Sequence, residues 1–377
     1  MGWKDVEDGF NRAVEQGIIP GAAVVVRVGN DIAFEGAFGF RQVEPERSPI
    51  KIDTVFDLSS LTKALATTTA AMMLARDGKF RLDDRVTRFF PDFGVHGKNN
   101  VTFRHLLAHC SGLPAWRPFF QRTMQIERGG RVNFMASYGA KEFVYEEVHR
   151  ENLEAPTGTQ AIYSDLGFIL LGEAIEKVAS VSLNRYCRDK LFRPLKLRAT
   201  GFIDISLARS RRLEPVPEMF AATELCPSRK RLLVGEVDDE NAYAMGGVAG
   251  HAGLFAPVHD VDRMAKALID CYAGRSDYVP QKIVREFWTR DTTVEGSTWA
   301  LGWDTPSPRG SSSGNHFPPN AVGHLGFTGT SLWIEPEREI AVTILTNRVH
   351  PRRENQAIRE FRPKIHDLIM ETVNAGQ

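Results

Sequence analysis

Ser60-Leu61-Thr62-Lys63 sets a hydroxyl and an amine three residues apart at the head of an apolar helix predicted over residues 62–76. Side chains at i and i+3 share one helix face, so the lysine comes within reach of the serine proton. A serine attacks a carbonyl only when a neighbouring base takes that proton, and a lysine can do so if its pKa is pulled down. The stretch therefore raises the question of a serine hydrolase that uses lysine instead of histidine. The start of the helix adds partial positive charge and free N–H groups, both favourable to an oxyanion. A second match to the spacing, Ser48-Pro49-Ile50-Lys51, lies in a short charged loop with no long apolar helix behind it. Short motifs recur by accident, so the remainder of the chain has to decide.

Upstream of Ser60, residues 3–17 show helical periodicity through Trp3, Val6, Phe10 and Val14. Two strand-like runs follow, 22–28 and 32–40, joined by the hairpin signal Gly29-Asn30-Asp31. Downstream the chain reads as mainly helical. Residues 102–110 form a short helix with Thr102 as N-cap, 114–160 is less regular, and 164–178 is a clear helix. Strand patterns return at 322–327, 331–334 and 340–346, before an amphipathic helix over about 354–374. Terminal strands around a helical middle imply an α/β (α+β) chain, with one antiparallel sheet built from both ends and covered by the terminal helices. The helical region is then an insertion between strands two and three. A single catalytic domain, 1–377, is expected, with a sheet lobe of about 1–58 and 245–377 and a helical lobe of about 59–244. Any active site falls in the cleft between the lobes.

Bulk properties narrow the function. The 377 residues are 42% hydrophobic and 25% charged, with 47 basic and 47 acidic side chains. That balance argues against nucleic acid, whose phosphates need a positive face. Four scattered cysteines contain no zinc-type pair and are expected as free thiols. No apolar run reaches membrane-spanning length, and the charged start is unlike a signal peptide. The sequence as it stands reads as cytoplasmic; with an export leader removed, the same chain would belong to the periplasm or the exterior.

Two further stretches accompany Ser60. Tyr163-Ser164-Asp165 lies in the turn that starts the 164–178 helix, and Tyr163 is the one tyrosine with Asn or Asp two positions on. A phenol beside Lys63 could shuttle a proton, because a nearby ammonium favours phenolate. The plainer alternative is a tyrosine anchoring the helix start, with Ser164 or Asp165 as cap. The third stretch is Gly323-His324-Leu325-Gly326-Phe327-Thr328-Gly329-Thr330. Glycines in a strand allow close approach of a ligand, so the strand could offer an N–H to an oxyanion, with His324 pointing into the cleft as a donor.

In this order the three stretches resemble the motifs of serine β-lactamases and penicillin-binding proteins, whose SxxK signature is met by Ser60 and Lys63. The tyrosine in the second motif looks like the class C β-lactamase branch, with its esterase and D,D-peptidase or D-aminopeptidase relatives. Residues 56–63, 101–113, 246–255 and 301–303 look similar as well. The resemblance implies Ser60 as the acylated nucleophile and Lys63 with Tyr163 as the base system. It also implies His324 at the third motif, Asp165, Gly326 and Phe327 around the substrate, and an oxyanion hole of the Ser60 and Phe327 N–H groups. An alternative register centres the third motif on Phe327-Thr328-Gly329. Neither cofactor nor metal is implied.

Three departures bear on substrate. His324 stands where β-lactamases carry lysine, weakening the expected grip on a substrate carboxylate. Asp165 replaces an amide and sets a negative charge near Lys63. No Glu-x-x-Leu-Asn follows Ser60, so glutamate-driven deacylation is not expected. The leading expectation is an ester or amide hydrolase working through an acyl-enzyme on a small ester, amide or peptide. A D-alanyl-D-alanine carboxypeptidase or β-lactamase is the alternative within that class, and a penicillin-binding sensor without turnover the alternative outside it. His105 and His109 have the spacing of a metal pair but are expected to pack. Asp238-Asp239-Glu240, His251, Trp299 and Trp303 are weaker candidates for the cleft border. The natural acyl group and the oligomeric state are not legible.

Overall fold

The central feature is a six-stranded antiparallel sheet, seen in a computed structural model that describes residues 2–213 and 215–376. Its strands are β1 (Gly21–Val28), β2 (Asp31–Gln42), β3 (Ser48–Pro49), β4 (Val322–Leu325), β5 (Ser331–Glu335) and β6 (Ile340–Thr346). Their spatial order is β3-β2-β1-β6-β5-β4, so the first and last strands of the chain pair at the centre, with Val24 opposite Ile344. The expected sheet from both chain ends is therefore present. The short edge strand β3 was not foreseen. It contains Ser48, so the second Ser-x-x-Lys match is sheet edge, with Ser48 paired to Gln42.

Both faces of the sheet are covered, which is why β1 reads as a continuous apolar run. Ala22, Val24 and Val26 point to one core with Phe10 of the first helix (Trp3–Glu15) and Ile369 of the last (Ile358–Ala375). Ala23 and Val25 point to the other, larger core. There the helix Val258–Tyr272 packs on the sheet, and buried Asp262 takes both Arg27 Nε (2.9 Å) and Arg27 Nη2 (2.6 Å). A bidentate charged pair of this kind fixes register as well as orientation.

Three regions differ from the sequence expectation. The stretch 114–160 holds two helices, Phe119–Arg128 and Tyr138–Arg150, whose charged and aromatic faces hid their period. The 62–76 helix opens with a wide π turn, Lys63–Thr68, before the regular Thr69–Arg76. Threonines account for the widening, since hydroxyls compete for backbone partners: Thr67 Oγ1 donates to Gly250 O at 2.6 Å and Thr69 Oγ1 to Ala64 O at 3.1 Å. Finally, Leu254–Ala256 pairs with Phe56–Asp57, carrying the glycine-rich 246–253 run to the start of the Ser60 turn.

Candidate active site

The chain enters the site through Ser59, which takes a left-handed φ of 50°. Such a conformation costs a non-glycine residue roughly 1–2 kcal/mol. Two hydrogen bonds offset it: the Ser59 N–H donates to Asp57 Oδ1 at 2.8 Å, and Ser59 Oγ accepts from the Phe327 N–H at 3.1 Å. The next turn is tight, with the Lys63 N–H donating to Ser60 O at 3.0 Å. Three-residue turns eclipse side chains at i and i+3. Lys63 Nζ consequently donates to Ser60 Oγ at 2.9 Å. The same tightness uses up the N–H groups of Leu61, Thr62 and Lys63 on Leu58, Ser59 and Ser60 carbonyls. The open helix start expected from sequence is thus reduced to the Ser60 N–H.

Lys63 has no exposed surface, and its ammonium also meets Asp165 Oδ1 at 2.7 Å and His251 O at 3.0 Å. Burial by itself lowers a lysine pKa, but the Asp165 carboxylate, together with Tyr163, outweighs it and holds Lys63 above its ordinary value. The condition under which a lysine acts as base, a lowered pKa, is not met at rest. Lys63 rests as a cation because the residue at the amide position is an acid.

Tyr163 lies over Lys63, with Nζ 4.9 Å from the ring centroid. Its ring stacks on Trp299 at 5.3 Å and packs on His109 at 4.6 Å. His109 is buried and frames the tyrosine from both sides in sequence: its carbonyl accepts from the Ile162 N–H at 2.8 Å and its Nδ1 from the Ser164 N–H at 3.0 Å. Ser164 caps the helix Asp165–Ala179 through the Gly167 N–H. The cap and the catalytic readings of this motif are therefore compatible. Although 36% of Tyr163 is exposed, its phenol is pushed above the ordinary value by desolvation, which we assign to the hydroxyl end facing Lys63 and Ser60, and those two groups pull it back.

The third motif is clamped to the nucleophile turn. Thr328 Oγ1 donates to Asp57 O at 2.8 Å and Thr330 Oγ1 to Leu58 O at 3.0 Å. Gly326 has to be small for this reason, since a Cβ there would meet Thr330 Oγ1 at 2.0 Å and Leu58 O at 2.6 Å. Its close approach is to the protein's own nucleophile turn. Phe327 is 46% exposed at the rim, and its N–H is occupied by Ser59 Oγ.

His324 departs furthest from expectation. It is buried, and Nδ1 lies 2.8 Å from Leu325 O, which can only accept, so the proton sits on Nδ1. Nε2 is left as an unpartnered lone pair among the described residues. Burial and then the Lys63 charge push the imidazole down to about 3. A neutral ring whose one N–H is already used cannot be the donor into the cleft. Its ring instead packs near Tyr163 and Trp299, at 6.0 and 5.8 Å.

The cavity in front of Ser60 measures about 270 Å³ and its far wall is acidic, with Asp238, Asp239 and Glu240 beside His251, Arg353 and Trp116. Those three acids carried little weight in the sequence. Asp239 Oδ1 faces His251 Nε2 at 3.0 Å; against the desolvation that would raise it, His251 and the Ala242 N–H hold this carboxyl down at about 2. Asp238 is anchored by its N–H on Asp57 Oδ2 at 2.7 Å, so Asp57 ties the Ser59 turn to the acidic wall. Burial pushes the Asp57 carboxyl up to about 6 and that of Asp238 to about 8.

Asp165, Asp239 and His251 bring donor atoms within 4.8 Å of one another. The Lys63 ammonium, 2.7 Å from Asp165, already supplies the positive charge for that cluster. A second group, Glu224, Cys226 and Glu240, is likewise served by Arg353, which bonds both glutamates. His105 and His109 do not converge: His105 Nδ1 faces Thr102. Trp303 is fully buried and packs on Trp288. All four cysteines are free and buried, and no helix among the described residues is long and apolar enough to cross a membrane.

A serine hydroxyl held by a buried ammonium, with a phenol above both, is the equipment of a serine hydrolase. The β-lactamase family profile matches residues 6–364. N-acetylmuramyl-L-alanine amidase of Bacillus subtilis (strain 168) is 30% identical over 376 residues, spanning 92% of this chain and 81% of that protein. A putative D-alanyl-D-alanine carboxypeptidase of Salmonella heidelberg (strain SL476) is 30% identical over 361 residues, spanning 88% and 79%. Among solved structures, EstCE1, a hydrolase with promiscuous acyltransferase activity, shares the fold at a TM-score of 0.70 and 22% identity, covering 96% of this chain and 98% of that one. The chain belongs to the β-lactamase family, and with it to the serine hydrolases.

Proposed function

We propose that Ser60 is the nucleophile of an esterase or amidase that passes through an acyl-enzyme. The observation that carries this reading is fully buried Lys63 Nζ at 2.9 Å from Ser60 Oγ. In the proposed cycle the productive form holds one proton fewer than the resting form: a Tyr163 phenolate beside the Lys63 ammonium. Tyr163 takes the Ser60 proton as the hydroxyl attacks the carbonyl carbon, then delivers it to the leaving group. Water enters, gives its proton to Tyr163 and attacks the acyl carbon, and the proton returns to Ser60. The N–H groups of Ser60 and Phe327 hold the oxyanion, the second once Ser59 Oγ yields it. Asp165 keeps Lys63 charged, and His324 supports the Tyr163 ring without exchanging protons. Residues 1–377 act as one catalytic unit, with the cleft between a sheet lobe of 1–58 and 245–377 and a helical lobe of 59–244.

Turnover of p-nitrophenyl butyrate, nitrocefin and a D-Ala-D-Ala peptide, by wild type and Ser60→Ala, tests the reading. The butyrate ester should be turned over faster than nitrocefin, and Ser60→Ala should abolish both. Hydrolysis that survives the substitution would refute Ser60 as nucleophile. The carboxypeptidase named among the relatives supports a second reading, favoured if the peptide is the fastest of the three. Stable acylation without turnover would instead mark a sensor.

A further inference from the structure

The cavity in front of Ser60 has an unbalanced charge. Asp165 is committed to Lys63; on the opposite wall Asp239 faces His251 Nε2 at 3.0 Å, Asp238 is protonated at neutral pH, and Glu240 meets the lining arginine, Arg353. That arginine is itself shared between two carboxylates, with Nε and Nη2 on Glu224 at 2.6 and 2.5 Å and Nη2 on Glu240 at 2.8 Å. It leaves the wall negative rather than neutral. An independent observation concerns Asp238: only 3% exposed, it lines the cavity, and its Oδ1 has no hydrogen-bond partner among the described residues. Buried carboxyl oxygens are normally paired, so an orphan beside a substrate cavity marks a place where a ligand supplies the donor.

The rim adds a third observation. Trp116 is 43% exposed and lines this cavity, whereas the other two aromatics there are already served: Tyr163 by Lys63 Nζ at 4.9 Å and Phe327 by the Arg348 and Arg353 guanidiniums at 4.5 and 5.6 Å from its ring centroid. Aromatic faces above an acidic floor attract cations. For a substrate carboxylate the equipment is committed or missing: the lining Arg353 is bound to Glu224 and Glu240, the third motif has no lysine, and His324 offers no free N–H.

We propose that the substrate carries a positively charged nitrogen close to the scissile carbonyl, held against Asp238, Asp239 and Glu240 beneath Trp116. This deepens the hydrolase reading and rests on it. Asp238, which burial holds at about 8, is protonated in the empty cavity at neutral pH and ionises when an ammonium enters.

Matched esters test the proposal on both sides of the bond. On the acyl side, phenyl esters of β-alanine, butyric acid and succinic acid place a cation, a methyl or an anion at the same position. On the leaving side, butyrylcholine is compared with 3,3-dimethylbutyl butyrate. In at least one set the cationic ester should exceed its neutral isostere in kcat/KM by about tenfold, and the advantage should shrink with added salt. Asp238→Asn should reduce that ratio, which is internally controlled for the amount of folded enzyme. Neutral esters turned over as fast as the cationic ones in both sets, or a faster succinate ester, would overturn the amine subsite and leave the hydrolase intact. Failure of all five esters, with Ser60 unlabelled by a fluorophosphonate, would overturn the hydrolase reading and this inference with it.

Discussion

The helix-borne and strand-borne halves of the site follow opposite electrostatic plans. On the helix side, Lys63, Asp165 and the Tyr163 hydroxyl form a tight charged group around Ser60. On the strand side, His324 is neutral, Gly326 packs against Leu58 and Thr330, and the Phe327 N–H is held by Ser59 Oγ. The difference teaches where chemistry can be read from residue type. Charged side chains at helical spacing announce their partners. A strand that contributes N–H groups can carry almost any side chain, and the one it carries at His324 misleads.

The comparison breaks first at Ser60. Ser60→Ala should lower kcat by about 10⁴-fold or more on any ester turned over. Tyr163→Phe should cost ~10²–10⁴-fold and remove the pH dependence expected of wild type. Because the Tyr163 phenol lies above its ordinary value, the phenolate fraction grows with alkalinity, so wild-type kcat/KM should climb from neutral pH toward pH ~10. A profile falling over that range would count against tyrosine as base.

On the strand side the effects should be small. His324→Gln should change kcat by less than about tenfold, without an inflection near the histidine range. A loss as large as that of Tyr163→Phe would restore His324 to a proton-transfer role. The smallest expected effect is on stability. A carboxyl raised by burial stabilises the fold while protonated, so the contribution of Asp238 is full below pH ~4 and is lost as pH rises through about 8. Asp238→Asn should therefore raise Tm at pH 9, by the equivalent of ~1–3 kcal/mol for a buried polar group, and the gain should vanish toward pH 4. An equal gain at both pH values would mean that Asp238 does not titrate in the fold.

Much of this was legible from the chain. One sheet built from both chain ends was legible because strand patterns occur at the two ends around a helical middle, and the convergence of Ser60 and Lys63 follows from chemical type and spacing. What was hidden depends on distance in space. The Lys63 pKa turns on Asp165, 2.7 Å away but about a hundred positions later in sequence. Asp57 looked like one residue of a longer motif, yet it holds Ser59 and Asp238 together. His109 read as helix packing and proves to frame Tyr163. The π turn was invisible because hydropathy has the same period whether Thr67 and Thr69 widen the helix or not.

Ser59 and Ser60 are adjacent hydroxyls in one turn, but it is Ser60 Oγ that meets the Lys63 ammonium, while Ser59 Oγ holds the Phe327 N–H. Labelling with a fluorophosphonate, followed by mass spectrometric mapping of the modified peptide, separates them. The adduct should lie on Ser60, persist in Ser59→Ala and disappear in Ser60→Ala and Lys63→Ala. An adduct on Ser59, or one that remains after Ser60→Ala, would show that Ser60 is not the nucleophile.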